Sequence, residues 1–254
     1  MKELQHICAL IPTYNNGGTI LDIVRRVAAE MNDIIVVVDG STDETHDMLR
    51  EEKHTLRDRL TIVYCKENHG KGVALQRGFD CARRMGFTHV LTIDADGQHY
   101  PEDIPLLLAA HDAHPEALIV GTRGLKQENM PGRNTFANRF SNFWFRLQTG
   151  KQLPDTQCGM RIYPLESILS NRLLTARYEA ELELLVFAAW ANVPLLPVSI
   201  RVYYPPEEER VSHFRPAYDF LRISLLNTLL CILMLVYGWP RMLIWKMKKK
   251  TVKR

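Results

Sequence analysis

The chain has 254 residues, 46% of them hydrophobic and 24% charged, with 14 Gly and 13 Pro. Those proportions exclude disordered, collagen-like and low-complexity chains, and the length suits one large domain, or one domain with an appendage. The net charge of +3 conceals an imbalance: residues 220–254 carry eight Lys and Arg and no Asp or Glu, which leaves −5 for the remainder. Five cysteines, at 8, 65, 81, 158 and 231, are odd in number and include no C-x-x-C pair. A disulfide framework or a zinc knuckle is therefore not expected, and a reducing compartment is. Residues 1–9 run directly into a strand-like stretch without a secretory pattern, so the body of the protein is expected in the cytoplasm.

In chain order, residues 6–11, 33–38, 60–64 and 89–93 are short apolar runs rich in β-branched side chains. Longer segments of helical spacing separate them, such as Ile20, Val24, Val27 and Met31. Strands apolar on both faces, alternating with helices, predict a doubly wound, mainly parallel α/β sheet covered on both sides. A further strand is expected to close at 120–123. A helix with an aromatic stripe is expected at 133–147, a loop entering a short strand at 155–161, a helix at 179–190 and an extended segment at 193–202.

From residue 214 an apolar helix is expected to run to about 237, with Gly238-Trp239-Pro240 ending it and lysines following a second apolar piece. Its uncharged stretch, 223–239, is close to the shortest length that spans a bilayer, about 20 residues. A helix lying in the membrane interface with Trp and Lys anchors fits better than a spanning one, and a core helix docked on the domain is the plainer alternative. The chain thus divides into a domain at 1–210 and a membrane-associating segment at 211–254. The basic tail suits anionic lipid. Nucleic acid is not expected, because no RRM-, KH- or HTH-like pattern is present.

Ligands of such sheets bind beyond the carboxyl ends of the strands. There the sequence places Pro12-Thr13-Tyr14-Asn15-Asn16-Gly17-Gly18, Asp39-Gly40-Ser41-Thr42-Asp43 and Asp94-Ala95-Asp96-Gly97-Gln98-His99. No G-x-G-x-x-G follows the first strand and no P-loop pattern occurs, which removes support for dinucleotide binding and P-loop phosphoryl transfer. Asp94 and Asp96, two apart, can project to the same side. Two carboxylates suit a hard cation, Mg²⁺ or Mn²⁺, with Gln98 as a third oxygen. Such a cation on a pyrophosphate would neutralise a departing nucleoside diphosphate. The alternative is that Asp-x-Asp merely caps a helix starting near Pro101.

These motifs, with Asn68-His69-Gly70-Lys71-Gly72, resemble in their order those of family 2 glycosyltransferases with the GT-A fold. Gly121-Thr122-Arg123 and Gly159-Met160-Arg161-Ile162-Tyr163 extend the resemblance toward the polyprenyl-phosphate sugar transferases, the group that includes dolichyl-phosphate mannose synthase. It covers roughly residues 6–204. It implies that Pro12, Tyr14, Asn15 and Lys71 line the nucleotide pocket, that Asp39 meets the base, and that Asp94, Asp96 and Gln98 hold the metal and diphosphate. On the acceptor side it implies Arg123, Arg133 and Arg161, with His213 and Arg215 nearby. Val38 departs from the family's frequent pair of acidic residues before Gly-Ser and leaves the base contact to Asp39 alone.

The activity so implied is inverting transfer from a UDP- or GDP-linked sugar to a lipid acceptor, a polyprenyl phosphate foremost, at the cytoplasmic face of a membrane. A lipid phosphate arrives ionised and needs no base, whereas a hydroxyl acceptor would need one. By resemblance Glu181 is the candidate for that base, with Asp155 second. Glu179, Glu181 and Glu183 also read as a solvated helix face, Arg123 and Arg161 as surface ion-pair partners, and His213 as a capping residue. A non-catalytic, membrane-recruited GT-A protein is the rival from another class, and the intact Asp94, Asp96 and Gln98 argue against it.

Overall fold

The computed structural model describes residues 6–123, 132–168, 173–203 and 216–252, with the backbone alone at 132–136, 216–220, 246 and 248–252. Seven strands form one sheet: β1 (Ile7–Thr13), β2 (Ile34–Asp39), β3 (Leu60–Cys65), β4 (His89–Thr92), β5 (Leu118–Arg123), β6 (Arg161–Pro164) and β7 (Leu195–Ile200). Their order is β3-β2-β1-β4-β6-β5-β7. All neighbours are parallel except β6, which runs antiparallel to both β4 and β5. The mainly parallel sheet expected from the apolar runs is present, with one reversed strand that the four residues Arg-Ile-Tyr-Pro do not announce.

The helices are α1 (Ile20–Glu30), α2 (Thr45–Leu56), α3 (Lys71–Arg84), α4 (Ile104–Ala113), α5 (Gly132–Thr149), α6 (Leu165–Ile168), α7 (Glu179–Trp190), α8 (Pro216–Leu233) and α9 (Trp239–Val252). Alternate residues of each strand feed two cores. Leu10, Ile35, Val37 and Val90 meet Phe79 of α3, Phe145 of α5 and Leu185 of α7. Ala9, Ile11, Val36 and Leu91 meet Ile23 and Val24 of α1, Leu49 of α2 and Leu107 of α4. Because β1 pairs with β2 on one side and β4 on the other, the chain reverses its direction of winding between β1 and β4, where open sheets form their ligand crevice.

α7 is buried along nearly its whole length, including all three of its glutamates. The solvated-face reading of Glu179, Glu181 and Glu183 is therefore corrected: a helix apolar on every other side belongs to the core, and each carboxylate has a partner inside it. Glu183 accepts the backbone N–H groups of Leu174 (2.6 Å) and Thr175 (3.0 Å). Glu179 faces Arg222 of α8 at 3.6 Å.

The C-terminal helix does not end at Gly238-Trp239-Pro240. It passes through a π-helical turn, Met234–Gly238, into α9, and Trp239 N–H donates to the Met234 carbonyl five residues back. A proline inside an α-helix clashes with the carbonyl four residues earlier. The wider turn immediately before Pro240, with Pro240 at the second position of α9, accommodates it. Leu226, Leu230 and Met234 on one face join the core. Gly238 lies against the Trp190 indole so closely that a Cβ would overlap it. A polar latch fixes the register: Gln148 Nε2 donates to Asn227 Oδ1 (2.9 Å), and Trp190 Nε1 donates to the Gln148 carbonyl (2.9 Å). The opposite face exposes Leu225, Leu229, Ile232, Leu235 and Val236. Leu221–Trp245 is long and apolar enough to cross a membrane by length and composition, with a mean hydropathy of 1.8 and 28% of its most apolar 18-residue window buried.

Candidate functional site

The loops after β1, β2, β3 and β4 are tied together by their own polar side chains. Asn15 adopts a left-handed φ of 53°, its Oδ1 accepts the Thr42 N–H (2.8 Å), and its own N–H donates to Ser41 Oγ (3.0 Å). Asp43 accepts the Gly17 N–H (2.9 Å), and a Cβ on Gly17 would overlap Glu44. Pro12 is buried in β1 opposite Val37, and Tyr14 stands half-exposed just beyond the strand.

Asp39, 2% exposed, accepts the backbone N–H groups of His69 (3.0 Å) and Gly70 (2.7 Å). Gly40 and Gly70 take left-handed φ values of 70° and 100°, which lets the two loops meet there. Asp39 is expected from the sequence to meet the nucleotide base; in the structure its carboxylate fastens the loop that presents Lys71.

Asp94 and Asp96 lie just past β4, both half-buried, with Ala95 between them turned into the core. Asp96 accepts the Gln98 N–H (3.0 Å), and the Gln98 carbonyl accepts the Tyr203 N–H (2.8 Å). Gly159 faces Asp94, where a Cβ would overlap the carboxylate. Burial and the adjacent Asp94 charge push the Asp96 carboxyl above its ordinary range. His99 Nε2 is 4.0 Å from Asp94, and burial lowers the imidazole's pKa and so favours its neutral form.

The centre of the site is Lys71, the first residue of α3. Its Nζ lies 2.6 Å from Asp94 Oδ1 and 2.8 Å from Glu181 Oε2, with the side chain 15% exposed. Burial alone would depress the ammonium, but the charges of Asp94 and Glu181 outweigh it and raise its pKa. Conversely, burial would raise the Asp94 pKa, and the Lys71 charge pulls it below the ordinary carboxylate range. Sequence reasoning placed Lys71 with the nucleotide and Glu181 with the acceptor, and did not pair them. The available signal was a lysine between two glycines: Gly72 packs against Ala180 of α7 so tightly that a Cβ would overlap it.

Of the expected acceptor-side residues, the described side chains of Arg123 and Arg161 both have partners within the protein. Arg123 gives its guanidinium fork to Asp155, with Nε to Oδ2 at 2.6 Å and Nη2 to Oδ1 at 2.9 Å. Asp155 also accepts from Asn138 (2.9 Å) and the Gln157 N–H (2.9 Å), and is fully buried. It is therefore not placed to serve as a base. Arg161 is likewise fully buried, donating to the carbonyls of Cys158 (2.7 Å), Thr156 (2.9 Å) and Glu181 (2.9 Å) and to the Tyr163 hydroxyl (3.0 Å). This corrects its acceptor-binding and surface readings together: its role is to tie β6 and the 156–158 loop to α7. Arg133 lies on α5 with its side chain outside what is described, and His213 and Arg215 lie outside the described residues.

Among the described residues no group of three or more His, Cys, Asp and Glu forms a closed metal cage. Two half-buried carboxylates two residues apart still fit a divalent cation that shares its remaining positions with water and phosphate oxygens. Asp94 and Asp96 would hold such an ion.

The model of the family "Glycosyl transferase family 2" matches residues 8–169. The polyprenol monophosphomannose synthase of Mycolicibacterium smegmatis is 33% identical over 171 residues, 65% of this chain and 64% of that protein. The undecaprenyl-phosphate 4-deoxy-4-formamido-L-arabinose transferase of Edwardsiella ictaluri is 31% identical over 169 residues, 64% of this chain and 50% of that protein. The chain thus spans less than two-thirds of these two relatives. The UDP-N-acetylglucosamine–dolichyl-phosphate N-acetylglucosaminyltransferase of Methanococcus voltae is 28% identical over 216 residues, 78% of this chain and 86% of that protein. Among solved structures, glucosyl-3-phosphoglycerate synthase of Mycobacterium tuberculosis, in complex with Mn²⁺, UDP and phosphoglyceric acid, superimposes with a TM-score of 0.66 at 20% identity, over 92% of this chain and 78% of that one.

Asp155→Ala should destabilise the protein by about 3 kcal/mol, since it removes the buried carboxylate that accepts from the Arg123 guanidinium, Asn138 and the Gln157 N–H. Burial opposes the Asp155 charge, but Arg123 holds its pKa below the ordinary carboxylate value. Its contribution is therefore present above that ordinary value and lost as pH falls through the lowered one. Urea unfolding of both proteins across pH 2–7 should show the gap closing in acid, and a gap independent of pH would contradict the assignment.

Proposed function

The chain belongs to glycosyltransferase family 2, and from that premise we propose that it transfers a sugar from a UDP- or GDP-linked donor to a polyprenyl phosphate at a membrane surface, with inversion. The observation that carries this reading is the Lys71–Asp94–Glu181 cluster beyond the carboxyl end of β4, beside Asp96. An ionised phosphate acceptor attacks the anomeric carbon through one of its oxygens while the bond to the nucleoside diphosphate breaks, and no base is required. Glu181 matches that chemistry because its carboxylate is engaged by an ammonium and not offered to a hydroxyl. Catalysis then rests on positioning and on cations at the departing diphosphate. A divalent ion held by Asp94 and Asp96 would supply Lewis-acid stabilisation of that leaving group. Pro12, Tyr14 and Asn15 line the donor side of the crevice, and Gln98 stands beside the diphosphate position. Arg133, His213 and Arg215 are assigned to the acceptor side. The relatives named for transfer to polyprenol, undecaprenyl and dolichyl phosphate support this acceptor class, and the solved structure with Mn²⁺ and UDP supports a metal-bound nucleotide.

Membrane attachment belongs to the same reading. α8 and α9 dock one apolar face on the domain and expose the other, and six Lys and Arg follow Trp245. Each such residue near an anionic surface contributes about 1 kcal/mol. A helix so docked lies along the membrane, with residues 1–210 on the cytoplasmic side and 211–254 forming the contact.

Asp96→Ala should lower transfer of labelled sugar to polyprenyl phosphate by about a hundredfold or more, as the loss of charge stabilisation at a leaving group does, and EDTA should abolish wild-type transfer. Wild-type rates in either condition would remove the metal from the mechanism. Replacing Leu225, Leu229, Ile232 and Val236 with Gln should weaken sedimentation with anionic vesicles by about tenfold or more, with an unchanged far-UV spectrum and melting temperature. Undiminished sedimentation would contradict attachment through this face.

A further inference from the structure

Lys71 sits where helix energetics disfavour it. It begins α3, where the helix dipole repels cations, and it is buried between two carboxylates supplied by the β4 loop and by α7. Its backbone is fixed on both sides. Gly70 holds φ at 100°, Gly72 packs on Ala180, and the Val73 N–H donates to the Ala176 carbonyl (3.2 Å). Only the side chain is left to move, and it has a flexible four-carbon stem ending in a point charge. Its Nζ sits 2.6 Å from Oδ1 of Asp94, one of the two carboxylates that would hold a divalent ion.

We infer that Lys71 is an internal counter-ion that excludes bare metal from Asp94, and that it yields this carboxylate only when metal arrives together with a nucleoside diphosphate. The inference rests on the proposed metal site. A free divalent ion approaching Asp94 meets a positive charge already seated on it. A metal–diphosphate unit brings compensating negative charge, to which the ammonium can turn while Glu181 keeps it in the crevice. Lys71 thereby becomes a positioning residue that makes metal and donor bind as one unit.

The test is Mn²⁺ binding to the full-length chain, read as loss of the free-ion electron paramagnetic resonance signal, without nucleotide and with UDP or GDP. Wild-type protein should bind Mn²⁺ weakly alone and much more tightly with one of the two nucleotides. Lys71→Met, similar in length and uncharged, should bind bare Mn²⁺ about tenfold or more tightly than wild type, because one unit of positive charge has left the site. Lys71→Arg should retain the exclusion. Should Lys71→Met fail to fold around two unpaired carboxylates, the charge-balanced pair K71M/E181Q should still bind bare Mn²⁺ more tightly than wild type, by a smaller factor, because the ammonium has left Asp94. Equal or weaker bare-metal binding by the uncharged variants, with nucleotide-dependent binding intact in wild type, overturns the counter-ion role and leaves the metal site standing. Absence of Mn²⁺ binding to wild type with either nucleotide removes the metal site, and this inference with it.

Discussion

A buried ammonium held between two carboxylates is the constraint on which the crevice depends. Removing one charge from water costs several kcal/mol, and only close, well-formed partners return it. Lys71 satisfies that condition with contacts of 2.6 and 2.8 Å to groups that come from different parts of the chain, Asp94 after β4 and Glu181 on α7. Neither carboxylate can shift far without exposing the other's cost. The three residues therefore fix α3, the β4 loop and α7 relative to one another at the edge of the sheet.

The surroundings keep that geometry. Asp39 gathers the loop before Lys71 through two backbone N–H groups. Thr92 Oγ1 donates to the Gly159 carbonyl (2.7 Å), and the bare Cα of Gly159 leaves room for Asp94. Arg161 holds the Glu181 carbonyl from beneath. α7 then connects this chemistry to the C-terminal helix, because Glu179 faces Arg222 and Trp190 underlies Gly238. The helix that carries Glu181 is thus the helix on which the exposed apolar segment rests.

Much of the scaffold was legible in the sequence because the physics there is local. The run expected at 33–38 is apolar from Ile34 to Val38 and lies in β2, which is buried on both faces, and the helix expected at 179–190 has those bounds. Asp94 and Asp96 follow β4 half-buried, with Ala95 between them in the core. What was not legible depends on contacts between distant residues. β6 runs backwards, with Arg161 opposite Thr92 and bonded to α7, a pairing that four residues cannot reveal. Arg123 gives its guanidinium to Asp155, a partner far away in sequence. The glutamates of α7 look like a polar face until their partners, Lys71, Arg222 and the Leu174–Thr175 backbone, are in place. Pro240 reads as a stop signal, and the π-turn that admits it is a property of the docked helix.

The pairing of Glu181 with Lys71 separates a phosphate acceptor, which needs no base, from a hydroxyl acceptor, which does. The most direct measurement is kcat for sugar transfer to polyprenyl phosphate by Glu181→Gln, whose amide keeps the shape and a hydrogen-bond acceptor for Lys71 but cannot take a proton. An ionised acceptor predicts a modest loss, about tenfold or less, with a Lys71–amide contact replacing the ion pair. Abolished transfer in a folded Glu181→Gln protein would show that the carboxylate acts as the base and would contradict the phosphate mechanism.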